Sequence, residues 1–220
     1  MGKIMEAVFC VFYLLFTGII GVLIVRMGRK NREILFFGIM TLVLVGGDSF
    51  HLIPRILAAL NPAGAYAAAL GIGKLVTSVT MTVFYLILYF IFELRHGQKN
   101  TALRVTMCLL AVVRIVLCLL PQNDWTGEDP VIWGIYRNIP FTIMGIIMIV
   151  LFFRKKSDKA FKWMWLAVLL SFAFYIPVVL WSEVSPMIGM LMMPKTCMYV
   201  WAVVMGYNEV KRNAALKDEN

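Results

Sequence analysis

The sequence predicts an all-α, polytopic membrane protein of seven transmembrane helices, and three observations lead there. Of 220 residues, 61% are hydrophobic and 15% charged, with a mean hydropathy of +0.84. A soluble domain of this length needs more polar cover. The apolar residues fall into seven runs, each long enough to cross a hydrocarbon core of about 30 Å at 1.5 Å per residue. The connections are short and alternate between basic and nearly Lys/Arg-free, so residues 1–220 read as a single membrane domain with a short tail, 208–220.

Helix one, 7–26, is followed by "RMGRKNRE" rather than a small-residue cleavage site, so it is expected to remain as an anchor. Helix two, 34–58, opens with the apolar "EILFFGIMTLVLV" and closes with the polar "GGDSFHLIPR", where Asp48, His51 and Arg55 at spacings of 3 and 4 share one face. Helix three, 68–92, carries Lys74, Ser78, Thr82, Tyr85 and Tyr89 by the same rule. Helix four, 102–120, holds Arg114 six residues from its end, and helix five, 131–153, holds Arg137 six residues from its start, with Asn138 beside it. Tyr175 lies on helix six, 161–181, and Lys195 on helix seven, 186–207. Trp125, Trp133 and Trp181 at one end, and Trp163 and Trp165 at the other, suit interfacial belts. Cys10, Cys108, Cys118 and Cys197 fall within spans without metal-type spacing and read as small core hydrophobes. No metal or cofactor is expected.

The basic residues give the orientation. Fifteen Lys and Arg follow helices one, three, five and seven, whereas Lys3 stands alone on the opposite side. The positive-inside rule then puts the N-terminus outside and the C-terminus inside, in a plasma membrane. The net charge of +9 is thus mostly topology, and anionic lipid accounts for the short basic loops. Nucleic acid is not an expected partner.

Five cations remain inside the spans, Arg55, Lys74, Arg114, Arg137 and Lys195, against one carboxylate, Asp48. All lie at or outside the midplane, Arg114 and Arg137 roughly 9 Å from the outer boundary. The inner halves, "LILYFIF" and "IIMIVLFF" among them, hold almost nothing ionisable. Charges in hydrocarbon cost several kcal/mol unless hydrated or paired, so the pattern predicts an outward vestibule closed by an apolar floor. Taken singly, Arg55, Lys74, Arg114 and Arg137 also fit snorkelling anchors, and His51 fits an interhelical hydrogen bond.

A three-helix unit, 7–94, is expected to recur as 131–207, with 102–120 as linker. "FTGIIGVLIVRMGRKN" resembles "FTIMGIIMIVLFFRKKSD", and "FHLIPRIL" matches "AFYIPVVL", aligning Pro54 with Pro177. Lys74 and Lys195 follow these prolines by 20 and 18 residues. Each proline frees the carbonyl four residues earlier, on Phe50 and Ala173, and is expected to kink its helix.

The 3+1+3 arrangement, with prolines on helices two, five and six, resembles the PQ-loop and SWEET-type small-molecule transporters, although their Pro-Gln pair is missing from helices one and five. "YIPVVLWSE" with Lys195 is similar to the end of a microbial rhodopsin, which would make Lys195 the Schiff-base residue; helix three offers Lys74, Thr77 and Ser78 instead of a counterion, so retinal is not expected. "GDSFHLIP" resembles the Gly-Asp helix of membrane lysoplasmalogenases, which implies hydrolysis by Asp48 with His51 as base. The second acid is missing from the spans, Asp158 and Glu183 falling in loops.

The leading expectation is a carrier or receptor-like binder of a small anion or an anionic lipid headgroup, with hydrolysis as the alternative. Arg114 and Arg137 would clamp the anion and Lys74 and Lys195 flank it, with Ser78, Tyr85, Asn138 and Tyr175 completing the lining. Asp48 would hold Arg55, or a proton through His51. A homo-oligomer is compatible with the sequence.

Overall fold

A computed structural model describes residues 2–61, 63–127, 129–182 and 184–218. Its helices are α1 Gly2–Met27, α2 Arg32–Leu60, α3 Ala67–His96, α4 Thr101–Leu119, α5 Val131–Arg154, α6 Met164–Trp181 and α7 Met192–Asp218. Seven stretches are long and apolar enough to cross a membrane, and no strand occurs among the described residues. The expected loop position of Glu183 lies outside the described residues.

Local chemistry sets the ends. Asn31 caps α2 by accepting from the Glu33 amide at 3.0 Å, and Asn100 caps α4 through the Leu103 amide at 3.1 Å. Helix α3 runs four residues beyond its expected end because the first residue suited to stop it is Gly97, in the left-handed region at φ 61°. Helix α7 starts later than expected, after a 3₁₀ segment Pro186–Leu191, and Pro194 is tolerated in its first turn, where an amide has no helical partner.

The helices pack in chain order, each against the next, and α7 closes the ring on α1; α3 also meets α5, and α2 meets α7. Outward-facing residues such as Phe12, Ile19, Val112 and Ile146 are apolar and exposed, as a lipid-facing surface requires. Inside, Tyr85, Phe141 and Phe172 interlock with ring centroids 4.9–5.6 Å apart, and Phe84 meets Tyr199 at 5.7 Å. Met40, Leu44, Leu88, Met144, Met148, Met164 and Val203 fill the space beneath them. The void there is about 10 Å³, scarcely room for one water. The expected apolar floor is therefore present and packed.

The Phe50 carbonyl, which Pro54 leaves without its helical amide, lies against α3. A side chain on Gly73 would run into the Phe50 carbonyl, and one on Gly71 into the Trp125 carbonyl. Only glycine allows α3 to pass so close to α2 on one side and to the α4–α5 connection on the other. The freed Phe50 carbonyl is covered by α3 rather than presented to a cavity. Thr77 ties the same contact by donating to the Gly47 carbonyl at 3.1 Å.

Candidate functional site

A cavity of about 440 Å³ lies among the ends of the helices that carry the α4–α5 and α6–α7 connections. Trp125, Gly127 and Asp129 line its mouth with Ser182 and Gly189. It descends past His51 and Arg55 of α2 and Lys74, Ser78 and Met81 of α3 to Arg114, Phe141, Tyr175 and Lys195. Its size falls within the roughly 300–1,000 Å³ common for small-molecule sites.

Three of the five cations are already paired. Arg55 bonds Glu6 of α1. Lys74 reaches Asp129 at 3.0 Å, and Arg137 donates from Nη2 to the other oxygen of the same carboxylate at 2.9 Å. Arg137 also donates from Nη1 to Asn123 Oδ1 at 2.8 Å and lies over the Trp125 ring. Asn123, fully buried, donates to the Leu117 and Leu120 carbonyls at 2.7 and 2.8 Å, which pulls the connection down onto Arg137. Arg137 thus holds a loop in place, and its expected role as half of an anion clamp is not what its contacts serve. The acids responsible come from positions assigned to the aqueous side: Glu6 lies in the first turns of α1, which starts five residues earlier than expected, and Asp129 in the α4–α5 connection, where it bonds both Lys74 and Arg137.

Two cations are left without a carboxylate within 4.0 Å among the described residues, Arg114 and Lys195. Arg114 is 1% exposed, its guanidinium carbon 3.3 Å from the Phe141 ring centroid, and its Nε and Nη1 are buried without a hydrogen-bond partner. Lys195 is 6% exposed, with Nζ 4.2 Å from the centre of Tyr175 and 5.6 Å from that of Tyr199. Rings steady both cations, but a quadrupole is a weak substitute for an anion. Lys74, at 50% side-chain exposure, sits at the mouth, so the two lysines share the cavity at unequal depths.

The remaining expected residues divide. Asp48 accepts from Tyr13 at 2.6 Å instead of holding Arg55 or His51. Glu6 and Tyr13, seven apart on α1, face Arg55 and Asp48, seven apart on α2, as two polar rungs between antiparallel helices. His51 lines the cavity with Nδ1 buried and unpartnered. Ser78 lines it too, though its hydroxyl donates to the Lys74 carbonyl at 2.8 Å. Asn138 accepts from Tyr175 at 2.9 Å, and both line the wall. Tyr85 does not: it belongs to the floor, its hydroxyl 3.3 Å from Ser171 Oγ, because its ring is needed between Phe141 and Phe172.

A second polar cluster, at the basic end, escaped the sequence reading. Arg95 of α3 bonds Asp158 of the α5–α6 connection, Glu33 of α2 at 2.7 Å and Glu209 of α7 at 3.1 Å. Glu93, buried within the extended α3, accepts from Tyr89 at 2.9 Å and Arg104 at 3.1 Å. Burial pushes the Asp158 carboxyl up, but hydrogen bonds from Arg95 and from the Ala160 amide outweigh it and hold the group below the usual carboxylate range. An open hollow of about 540 Å³ adjoins this cluster, but its acids are engaged by Arg95, which makes it a fastening among four elements. The Tyr89–Glu93 spacing of four, ahead of a glycine stop, was the legible signal for Glu93.

Compared with known proteins, the chain matches no family model, no curated protein and no solved structure.

Proposed function

We propose that the chain is a plasma-membrane carrier or receptor-like binder that takes a small anionic molecule into the cavity above the aromatic floor. Arg114 is the observation that carries this: a fully buried guanidinium lines a cavity with two nitrogens unpartnered and, among the described residues, no carboxylate beside it. Guanidinium donors match carboxylate or phosphate oxygens, and such a ligand would replace the missing partner. Lys195 supplies the second charge. The anion is the smaller task than first expected, since Glu6 and Asp129 already satisfy Arg55, Lys74 and Arg137.

Fifteen basic residues at the end opposite the cavity support an outward-facing mouth under the positive-inside rule. The internal repeat draws support from Pro54 and Pro177, both inside helices, and from α1–α2–α3 and α5–α6–α7 each packing in chain order. The PQ-loop and SWEET kinship is proposed on that architecture alone. Hydrolysis is the weaker reading, because Asp48 bonds Tyr13 rather than His51.

The test is thermal unfolding of the purified protein titrated with hexanoate, benzoate, sulfate and phosphate. At least one should stabilise saturably, by about 2.7 kcal/mol at a hundredfold excess over Kd. Lys195→Gln should weaken the effect and Lys156→Gln, in the α5–α6 connection, should not. No stabilisation by any anion, or equal weakening by both variants, refutes the proposal.

A further inference from the structure

We infer that the ligand is borne by the membrane, a single-chain amphiphile with an anionic head that enters sideways from the bilayer past the α6–α7 connection, an inference that rests on the anion reading above. That connection separates the cavity from the outside by one thickness of chain. On its inner side Ser182, Gly189 and Met192 line the cavity; on its outer side Val184 and Met187 are 80% and 76% exposed, with Trp181 and Met190 exposed beside them. The other two connections at this end expose polar residues such as Asn61, Gln122 and Thr126.

Three observations put lipid against the outer side. Helix α6 has 18 residues, roughly 27 Å at 1.5 Å per residue, so it falls short of a hydrocarbon core of about 30 Å and the chain leaves it within the apolar layer. The seventh stretch apolar enough to cross a membrane begins at Met187, inside the connection. The connection also satisfies its own backbone. The Ser182 amide donates to the Val178 carbonyl at 3.2 Å, those of Val184 and Ser185 to the Trp181 carbonyl at 3.1 Å, and that of Ile188 to the Ser185 carbonyl at 3.0 Å. It therefore needs no water, as a loop in an apolar layer must not. Its apolar side carries on the lipid-facing side of α6, where Leu169 and Ile176 are exposed.

The cavity walls divide in the same sense. Val178, Val179 and Leu180 of α6 and Met192 of α7 lie between the connection and the deep Tyr175 and Lys195. The opposite side is polar, with His51 and Arg55 from α2, Lys74 from α3 and Asn138 from α5. A carboxylate or phosphate head on Arg114 and Lys195 then leaves one chain to cover the α6–α7 wall and pass out toward lipid, and a second chain would meet the polar side. A small water-borne anion would leave that apolar path bare. The wall is soft where the chain must pass: Pro186–Leu191 is six residues of 3₁₀ helix, longer than the usual three or four, and such runs mark hinges.

Two measurements on the purified full chain in lipid nanodiscs, with empty nanodiscs as blank, test this. An environment-sensitive fluorophore on Met187→Cys, in a background lacking the four native cysteines, should be quenched by nitroxide-labelled acyl chains and shielded from aqueous iodide. Quenching by iodide, or by neither, places water or protein against the connection and overturns lateral entry. Calorimetric titration then compares hexanoate, dodecanoate, dodecyl phosphate and dodecanamide. Dodecanoate or dodecyl phosphate should bind at least about tenfold more tightly than hexanoate and dodecanamide. A side chain added at Gly189 meets nothing within 4 Å, so Gly189→Phe narrows the path without disturbing the fold. It should weaken the long-chain anion about tenfold and hexanoate less than about threefold. Long-chain anions no tighter than hexanoate, or long-chain affinity that Gly189→Phe leaves unmoved or lowers only as much as that of hexanoate, overturns the membrane-borne ligand and leaves an anion site standing. Dodecanamide as tight as dodecanoate, or binding of none of the anions, removes the anion reading itself. Should Gly189→Phe fail to fold, the quenching and the comparison of chain lengths decide alone.

Discussion

Replacing Arg114 with methionine should make the ligand-free protein more stable, the reverse of what truncating a core residue usually does. The guanidinium is 1% exposed with two nitrogens unpartnered, so the folded state bears an effective desolvation penalty of several kcal/mol. Against that stands the stack on Phe141 at 3.3 Å, about 2 kcal/mol for a desolvated cation–π contact. Methionine keeps much of the aliphatic stem and fits irregular gaps beside rings, so little packing is lost. The difference is a gain of roughly 2 kcal/mol, which for a chain of this size moves Tm up by about 4–8 °C. Thermal unfolding in detergent followed by tryptophan fluorescence reads it directly. The same variant should show no rise in Tm with hexanoate. A loss of about 3–5 kcal/mol, the signature of breaking a buried ion pair, would mean that Arg114 is a structural partner and not a vacant anion ligand.

Two further outcomes test the frame around the site. With single cysteines at exposed Thr126 and Ser157, in a background lacking the four native cysteines, an impermeant reagent should label position 126 in intact cells and position 157 only after lysis; the reverse would invert the protein and its cavity. Asp158→Asn should lower stability at pH 6–7 by about 1.5–3 kcal/mol, the worth of hydrogen bonds to a charged group. Because the folded pKa of Asp158 is depressed, its contribution is present above the unfolded value of about 3.9 and is lost as pH falls through the folded value. The wild type should therefore converge on the variant in acid, and a gap that persists undiminished at pH 3 would place the effect elsewhere.

The amino-acid sequence by itself determined the seven spans, the placement of ionisable groups toward one end and the apolar floor, because these depend on summed hydropathy and on periodicity within one helix. It also marked most of the cavity lining, His51, Arg55, Lys74, Ser78, Arg114, Arg137, Asn138, Tyr175 and Lys195, since a polar residue in a span must face inward. Which cations are paired was decided only by tertiary structure. Glu6 reaches Arg55 across 49 positions and Asp129 reaches Lys74 across 55, so no local spacing announces either pair. Helix ends decided the rest: one more turn of α3 moves Glu93 and Arg95 out of an aqueous loop and into a fastening with α2, α4, α7 and the α5–α6 connection. Tyr85 illustrates the same limit, because a face shared with Lys74 says which way it points but not how deep the interior is filled when Phe141 and Phe172 close over it. Counting charges along one chain gave five cations to one acid; the fold sets Glu6 against Arg55 and Asp129 against Lys74 and Arg137 and leaves Arg114 and Lys195, because the cost of a bare charge is settled by whichever opposite charge the fold brings within reach.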